Sequence, residues 1–403
     1  MNPPRIKNIP SGDAAQLLRA LVRCDSRNPS LVPGGPGEAT AARLLGAVLE
    51  SWGFRVELHD ALPGRPNVIA RIGAARGGRT LMLNGHLDVV GVDNMTHAPF
   101  DELERDGRLY ARGSSDMKAG VAAMCAAAAR ASNSASTSAA GALPGEVIVA
   151  AVADEEWASA GTRAVLERGI RADAAIVTEP TRLAIMPAHR GFAWLTVTVR
   201  GRAAHGSRYE LGIDAIRLAG ALLAELDAFE AGTLTKRTHP LLGHASLHAS
   251  TIEGGTGMST YPDRCVIRLE RRTLPGEHPD AVLAEVRDAC ARVRARRPEF
   301  DAAATLDLAQ GPSDVPITAP IVRALAGAIE HEGSAARVEG MSAWTDAALL
   351  NDAGVPAICF GPGDIALAHA AEEFVELAEV ETATRMLTRC IAGWCGGSGA
   401  WPG

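Results

Sequence analysis

Thr80-Leu-Met-Leu-Asn-Gly-His-Leu-Asp88 is the stretch on which the fold turns. An apolar run of strand length stops at Asn84-Gly85 and delivers His86 and Asp88 just beyond its end. In a parallel α/β sheet, functional groups collect outside the carboxyl ends of the strands, where loops converge on one cleft. A histidine and a carboxylate two residues apart at such a point suit a metal, one touching it and the other orienting its neighbour. Ordinary loop polarity would give the same pair, so the meaning of His86 depends on how the other strands end.

Two further strands end in the same way. Glu146–Val152 is an uninterrupted apolar run, the mark of a central strand covered on both faces, and it leads into Asp154-Glu155-Glu156. After a predicted helix at Gly161–Arg168, the run Ala174–Val177 ends in Thr178-Glu179-Pro180. Asp116 closes Arg112-Gly-Ser-Ser-Asp116 just before a small-residue helix predicted over 117–130. His369 follows the strand predicted over Ala357–Phe360. Histidine and carboxylates without cysteine form a hydrolytic zinc, cobalt or manganese site rather than a structural zinc. Two histidines and three carboxylates are too many for one open tetrahedral ion. They suit two ions roughly 3.5–4 Å apart that share a bridging carboxylate. The residues alone do not say which of Glu155 and Glu156 binds.

Outward from this centre, helical periodicity covers Asp13–Cys24 and Glu38–Trp52, and Arg55–His59 and Asn67–Ile72 read as extended. The Ser-, Ala- and Gly-rich segment Ala131–Gly145 reads as a flexible loop. From Phe192 the pattern changes. Strand-like Ala193–Val199, helical Ile213–Phe229, extended Ser246–Ile252 and Arg264–Arg271, helical Asp280–Val293 and a strand at Ala304–Leu308 follow in order. This β-α-β-β-α-β succession predicts an inserted open-faced sandwich of about 120 residues. The α/β pattern resumes at Pro316, with helices at Pro320–His331, near Asp346–Asp352 and from Val375 to Trp394, before a frayed Gly-Gly-Ser-Gly tail. The expected fold is α/β, with a catalytic domain formed by residues 1–189 and 312–403 around an α+β domain at 190–311.

Size and composition agree with two domains, since 403 residues is long for one core. The net charge is −7, and the one basic cluster, Arg292–Arg297, alternates with alanine and valine like a solvated helix face. Such a chain lacks the basic footprint of a nucleic-acid partner. Seven scattered cysteines with no C-x-x-C pair argue against a disulfide framework and fit a reducing compartment. No apolar run reaches the length of a membrane span, and the N-terminus lacks the apolar core of a signal peptide. The expectation is a cytoplasmic protein with no membrane partner.

Gly-His-Leu-Asp-Val-Val, Gly-Ser-Ser-Asp-Met-Lys-Ala-Gly, Asp-Glu-Glu, Thr-Glu-Pro and Ala-His-Ala-Ala-Glu-Glu occur in this order along the chain. Together they resemble the five metal-site motifs of the M20 co-catalytic metallopeptidases. That group includes acetylornithine deacetylases, succinyl-diaminopimelate desuccinylases, aminoacylases and glutamate carboxypeptidases. The resemblance implies a three-layer zinc-peptidase-like catalytic domain with an inserted ferredoxin-like lid through which two copies form a homodimer. It implies two divalent ions, zinc or else cobalt or manganese. Asp116 would bridge them, His86 and Glu179 would hold one, and Glu156 and His369 the other. Asp88 would hydrogen-bond His86 and fix its tautomer. Glu155 would be the general base. The Asp116–Met117 peptide would be cis.

In the lid, Arg202-Ala-Ala-His205-Gly-Ser resembles the family's motif in which a histidine reaches the partner's cleft and stabilises the oxyanion. Arg272 matches the lid arginine that grips a substrate carboxylate, a role suited to a bidentate guanidinium. Ser259 stands where the family usually has asparagine, which gives that substrate contact a shorter side chain. The implied reaction is deacylation of an N-acyl amino acid, with hydrolysis of a dipeptide or peptide C-terminus as the alternative, because both present an amide beside a carboxylate. Arg271 alternates to the other sheet face from Arg272 and reads as a solvated charge. His189 lies near the domain junction as a candidate cleft residue, while His239, His244 and His248 read as lid surface. Cys125 and Cys359 read as small core residues. Asp346 reads as structural as readily as substrate-contacting, and Asp154 as a turn former.

Overall fold

A computed structural model describes residues 9–75, 77–136 and 142–396. The Gly-Gly-Ser-Gly tail beyond Gly396 and the middle of the Ala131–Gly145 segment lie outside the described residues. The chain divides into two compact units. The first takes residues up to Pro187, Val315–Glu339 and from Thr345 onward, and the second takes Ala188–Asp314 with Gly340–Trp344. Among the described residues no helix is long and apolar enough to cross a membrane.

The first unit is built on a mixed sheet. Its strands lie in the order Arg55–Leu62, Arg65–Gly73, Glu146–Val152, Thr80–His86, Ala174–Val177, Ala357–Cys359 and Ile185–His189. The four strands from Glu146–Val152 to Ala357–Cys359 run parallel, so their carboxyl ends share one edge. All seven residues of Glu146–Val152 are buried, as an uninterrupted apolar run requires. Alternate residues separate to the two faces. Leu81, Leu83, Val147, Val149 and Ala151 join one core with the helices Ala14–Val22, Ala39–Ser51, Ala119–Ser136, Pro320–His331 and Leu377–Cys395. Met82, Ile148 and Ala150, equally buried, point to the opposite face. There the short helices Ala160–Glu167 and Ala347–Asp352 pack on each other and on the sheet. Each large aliphatic side chain so buried contributes about 1.5–3 kcal/mol.

Helix Ala119–Ser136 is alanine-rich because it has little space. Every residue from Ala119 to Ala129 is buried. A Cβ added at Gly120 would stand 1.8 Å from the carbonyl oxygen of Thr178. Only glycine lets this helix, which follows Asp116, close against the strand end that precedes Glu179. The helix runs six residues past the predicted end at Arg130. Ala131–Ser136 is therefore helical rather than loop, since alanine and serine at low complexity are compatible with a helix that already has a docked face.

The second unit is an antiparallel sheet in the order Ser246–Gly254, Arg264–Thr273, Gly191–Arg200 and Asp301–Gln310. Helices Ala215–Gly232 and Pro279–Arg296 cover one face. Asp214 caps the first of these helices by accepting the Arg217 amide at 2.9 Å. Ala193, Leu195, Val197 and Val199 point to the helices and are fully buried. Phe192 and Trp194 point the other way, onto a face without helices.

Arg271 corrects the expectation of a solvated charge. It does lie on the opposite face from Arg272, but that face is the helix-covered one, and Arg271 is fully buried. Glu277 accepts from its guanidinium at 2.5 Å and Glu285 lies 3.8 Å away, so the charge is paired in the interior rather than hydrated. His189 is likewise buried rather than open. Its Nδ1–H donates to the Arg190 carbonyl at 3.0 Å, and its ring meets Trp344 edge-on at 6.4 Å. Burial lowers its pKa to about 4.

Candidate metal centre

Three neighbouring parallel strands bring the ligand candidates of the first unit to one edge. His86 pairs with Val152 across the sheet and Asn84 with Val177, so the segments after all three strands start at similar height. His86, Asp116 and Glu179 each offer a ligand atom within 4.8 Å of the others, and so do Asp116, Glu156 and His369. Asp116 belongs to both sets. His86 Nε2 lies 3.1 Å from Asp116 Oδ1, and His369 Nε2 lies 3.6 Å from Asp116 Oδ2 and 3.1 Å from Glu156 Oε2. The Asp116–Met117 peptide is cis.

Asp88 does something other than expected. The group 2.9 Å from His86 Nδ1 is the backbone carbonyl of Asp88, while its carboxylate stands at 3.8 Å. A carbonyl can only accept, so Nδ1 is protonated, and Nε2 is the nitrogen that faces Asp116. The Asp88 carboxylate accepts instead from the amides of Glu155 and Glu156, both at 3.1 Å. Two successive amides held by one carboxylate set the turn that sends the two glutamates apart. Glu155 Oε2 comes to 3.9 Å from His86 Nε2, and Glu156 turns to His369.

A buried polar chain stands behind Asp88. Asn28 donates to Asp88 at 2.8 Å and to Asp154 at 3.1 Å. Arg65 joins Asp154 at 2.8 Å and Glu38 at 2.5 Å. Asp154, read from the sequence as a turn former, sits at φ +69° and is 1 % exposed within this chain. Nothing in the sequence marks Asn28 or Arg65, because both act through partners distant along the chain. Asp346 is also buried here, accepting from the Thr162 hydroxyl at 2.6 Å.

The electrostatics state what the cluster lacks. Burial pushes the Glu155 and Glu179 carboxyls well above the usual carboxylate range; nearby carboxylates add to this and His86 opposes it. At Asp116 burial acts in the same sense, but its hydrogen bond to His86 and the charges of both histidines outweigh it and lower the pKa. Burial would favour neutral His86, yet Asp116, Glu155 and Asp88 raise its pKa well above the ordinary value. Four crowded carboxylates around two imidazoles have too little positive charge beside them. Divalent cations held by His86, Asp116, Glu156, Glu179 and His369 would supply that charge, and a His/carboxylate donor set without thiolate fits zinc, cobalt or manganese.

The candidates of the second unit are in more open surroundings. His205 is exposed, and its Nδ1 accepts from the Ser207 amide at 3.2 Å, which leaves Nε2 as the N–H donor. Ser259, also exposed, lies beside it, its carbonyl accepting from Gly206 at 2.7 Å. Arg272 is at the far end of strand Arg264–Thr273, paired with Ser246. Its guanidinium stands 5.7 Å over the Phe192 ring, with Nε bonded to Glu270, which Trp194 Nε1 holds at 3.0 Å. His239 Nε2 lies 3.4 Å from Asp314 Oδ2, and His244 and His248 are exposed.

Comparison with known proteins gives the family. Residues 82–393 match the description of peptidase family M20/M25/M40. Acetylornithine deacetylase of Myxococcus xanthus is 32% identical over 87% of this chain and 91% of its own length. N-formyl-4-amino-5-aminomethyl-2-methylpyrimidine deformylase of Bacillus subtilis is 27% identical, over 94% of each chain. Among solved structures, a dinuclear metal binding peptidase of the M20 family from Bacillus subtilis superposes with a TM-score of 0.70 at 16% identity, over 94% of this chain and 96% of its own. The chain belongs to peptidase family M20/M25/M40 and is a metallohydrolase of C–N amide bonds.

Proposed function

We propose that the chain removes the acyl group from an N-acyl amino acid, hydrolysing an amide beside a carboxylate with two divalent cations held by the two ligand sets. The observation that carries this reading is the sharing of Asp116 between His86/Glu179 and Glu156/His369. The relatives named for removing small acyl groups, a deacetylase and a deformylase, support the acyl side of the substrate. The Bacillus subtilis neighbour named as dinuclear supports the pair of ions.

Cations bound there would polarise the scissile carbonyl and make the attacking water more acidic. Glu155 takes the proton from that water and later gives it to the leaving amine. The division of roles is supported by their directions: Glu155 Oε2 stands 3.9 Å from His86 Nε2, while Glu156 Oε2 turns to His369 at 3.1 Å. His205, with Nε2–H available, donates to the developing oxyanion. Arg272 grips the substrate carboxylate, and Ser259 offers a hydroxyl near His205.

The ends of one second unit that carry His205 and Arg272 are separated by most of a ten-residue strand, roughly 25–30 Å. Both can serve one substrate if they come from two copies. The edge strand Ser246–Gly254 supports a homodimer, since it is paired on one side only and exposed from His248 onward, with Ile252 half exposed. The test is amine release from N-acetyl, N-formyl, N-succinyl and aromatic N-acyl amino acids, with dipeptides and C-terminal peptides alongside, on zinc-, cobalt- and manganese-loaded protein. Turnover of acyl amino acids above dipeptides is expected. Turnover of peptides alone would move the reading to a peptidase, and none on any substrate with two ions bound would overturn it.

A further inference from the structure

Asp116 and His369 reach the centre on loops from distant parts of the chain, and a buried ion pair stands between those loops. Glu373 is fully buried and Arg112 is 1 % exposed. Arg112 Nη1 donates to Glu373 Oε2 at 2.7 Å. The same Oε2 accepts from the Gly113 amide at 3.1 Å, and Oε1 accepts from the amides of Ser115 and Asp116 at 2.9 and 3.1 Å. One carboxylate thus gathers three amides of the turn that presents Asp116. Gly113, at φ +80°, supplies the left-handed step that aims them inward.

Arg112 extends the tie. It donates to the Ala370 carbonyl at 3.4 Å, to Gly91 at 3.1 Å and to Asn94 Oδ1 at 3.0 Å. Asn94 Nδ2 in turn donates to the carbonyl of His369 at 2.9 Å. His369 needs this support. Its side chain is 54% exposed, and its backbone sits at φ +61°, a conformation a non-glycine residue keeps only when its surroundings impose it. A buried ion pair adds little stability over an apolar pair of the same size. An apolar pair, however, could not hold three amides and two carbonyls at once.

We infer that Glu373 and Arg112 are positioning residues that fix the Asp116 turn and the His369 loop against each other and so set the affinity of the second ion. This rests on the two-ion reading above. Asp116 serves both ions. The first also has His86 and Glu179, which follow sheet strands. The second has Glu156 after a strand but His369 on the tied loop, so it depends on the tie for two of its three ligands. Residues that orient metal ligands typically change metal affinity 10–100-fold when replaced.

The experiment strips the full-length chain of metal and titrates it with Zn²⁺ by calorimetry and with Co²⁺ by its visible spectrum. Glu373→Gln, Arg112→Lys and the surface variant Asn94→Ala are compared with wild type. Two ions are expected in wild type. In Glu373→Gln and Arg112→Lys the first ion should bind within a few-fold of wild type and the second about 10–100-fold more weakly. Excess metal should restore turnover. Asn94→Ala should show a smaller loss confined to the second ion. Unchanged affinity for both ions, or equal weakening of both, overturns the inference. If the buried variants do not fold, Asn94→Ala decides by the same criterion. A wild-type chain that takes up one ion only overturns the two-ion reading, and the inference with it.

Discussion

The two units carry their candidate residues in opposite ways. In the first, His86, Asp116 and Glu179 are 1, 8 and 4 % exposed and sit at strand ends or in tied turns. In the second, His205 and Ser259 are exposed and Arg272 is held mainly by its own strand neighbour Glu270. The first set is organised before any ligand arrives, which is how charge is stabilised at low reorganisation cost. The second set lies open, and on the proposed reading substrate or a second copy would surround it. Removing a residue from the first should therefore disturb metal or chemistry, and removing one from the second should leave metal untouched.

The sharpest way to break this contrast is at Glu155 and Glu156. Glu155→Gln should bind two ions as wild type does and lose roughly 10²–10⁴-fold in kcat, whereas Glu156→Gln should lose one ion. Metal analysis beside steady-state kinetics checks both, and loss of metal in Glu155→Gln would reverse their roles. Arg271→Ala leaves the half-buried Glu277 and Glu285 beside Arg237 alone and should cost about 3 kcal/mol in denaturant unfolding. Arg272→Ala, one residue on, should leave unfolding nearly unchanged and raise KM. Equal effects on stability would show that the two faces are not so different. His205→Ala should reduce kcat by about 10²-fold, the effect of removing one oxyanion donor, with metal content intact.

A pH-dependent effect is expected at His189. Its folded pKa of about 4 lies below the ordinary 6.5, so the unfolded chain takes up the proton first. The stability of the neutral, buried ring is fully present above pH 6.5 and is lost as pH falls toward 4, by up to about 3 kcal/mol. Denaturation of wild type and His189→Asn at pH 7 and pH 4.5 should show the gap between them closing in acid. A gap that stays constant would mean the ring is hydrated.

The features legible in the sequence were those written in consecutive residues. Ala174–Val177 and Glu146–Val152 appear in the structure with the boundaries read from their apolar runs, and the five ligand candidates of the first unit do converge. Strand Ile185–His189 went unread because Pro187 interrupts its pattern. Alternation put Arg271 and Arg272 on opposite faces, but which face was covered depended on helices elsewhere in the chain. The interaction of Asp88 with His86 is made by a carbonyl that every residue type possesses, so its side chain could not reveal it. Glu373 lay inside a quoted motif, yet its bonds to Gly113, Ser115 and Asp116 span more than 250 positions and leave no local mark.

That span has a consequence for the chain as it is being made. Glu156 meets His369 across 213 residues. At a synthesis rate of 5–20 residues per second, roughly 10–40 s separate the two. Until the last tenth of the chain emerges, Asp116 and Glu156 have neither His369 nor the Glu373 carboxylate to complete their surroundings. The first unit is discontinuous, and its core takes in strand Ala357–Cys359 and helix Leu377–Cys395, so the direction of translation postpones the whole centre to the end of synthesis.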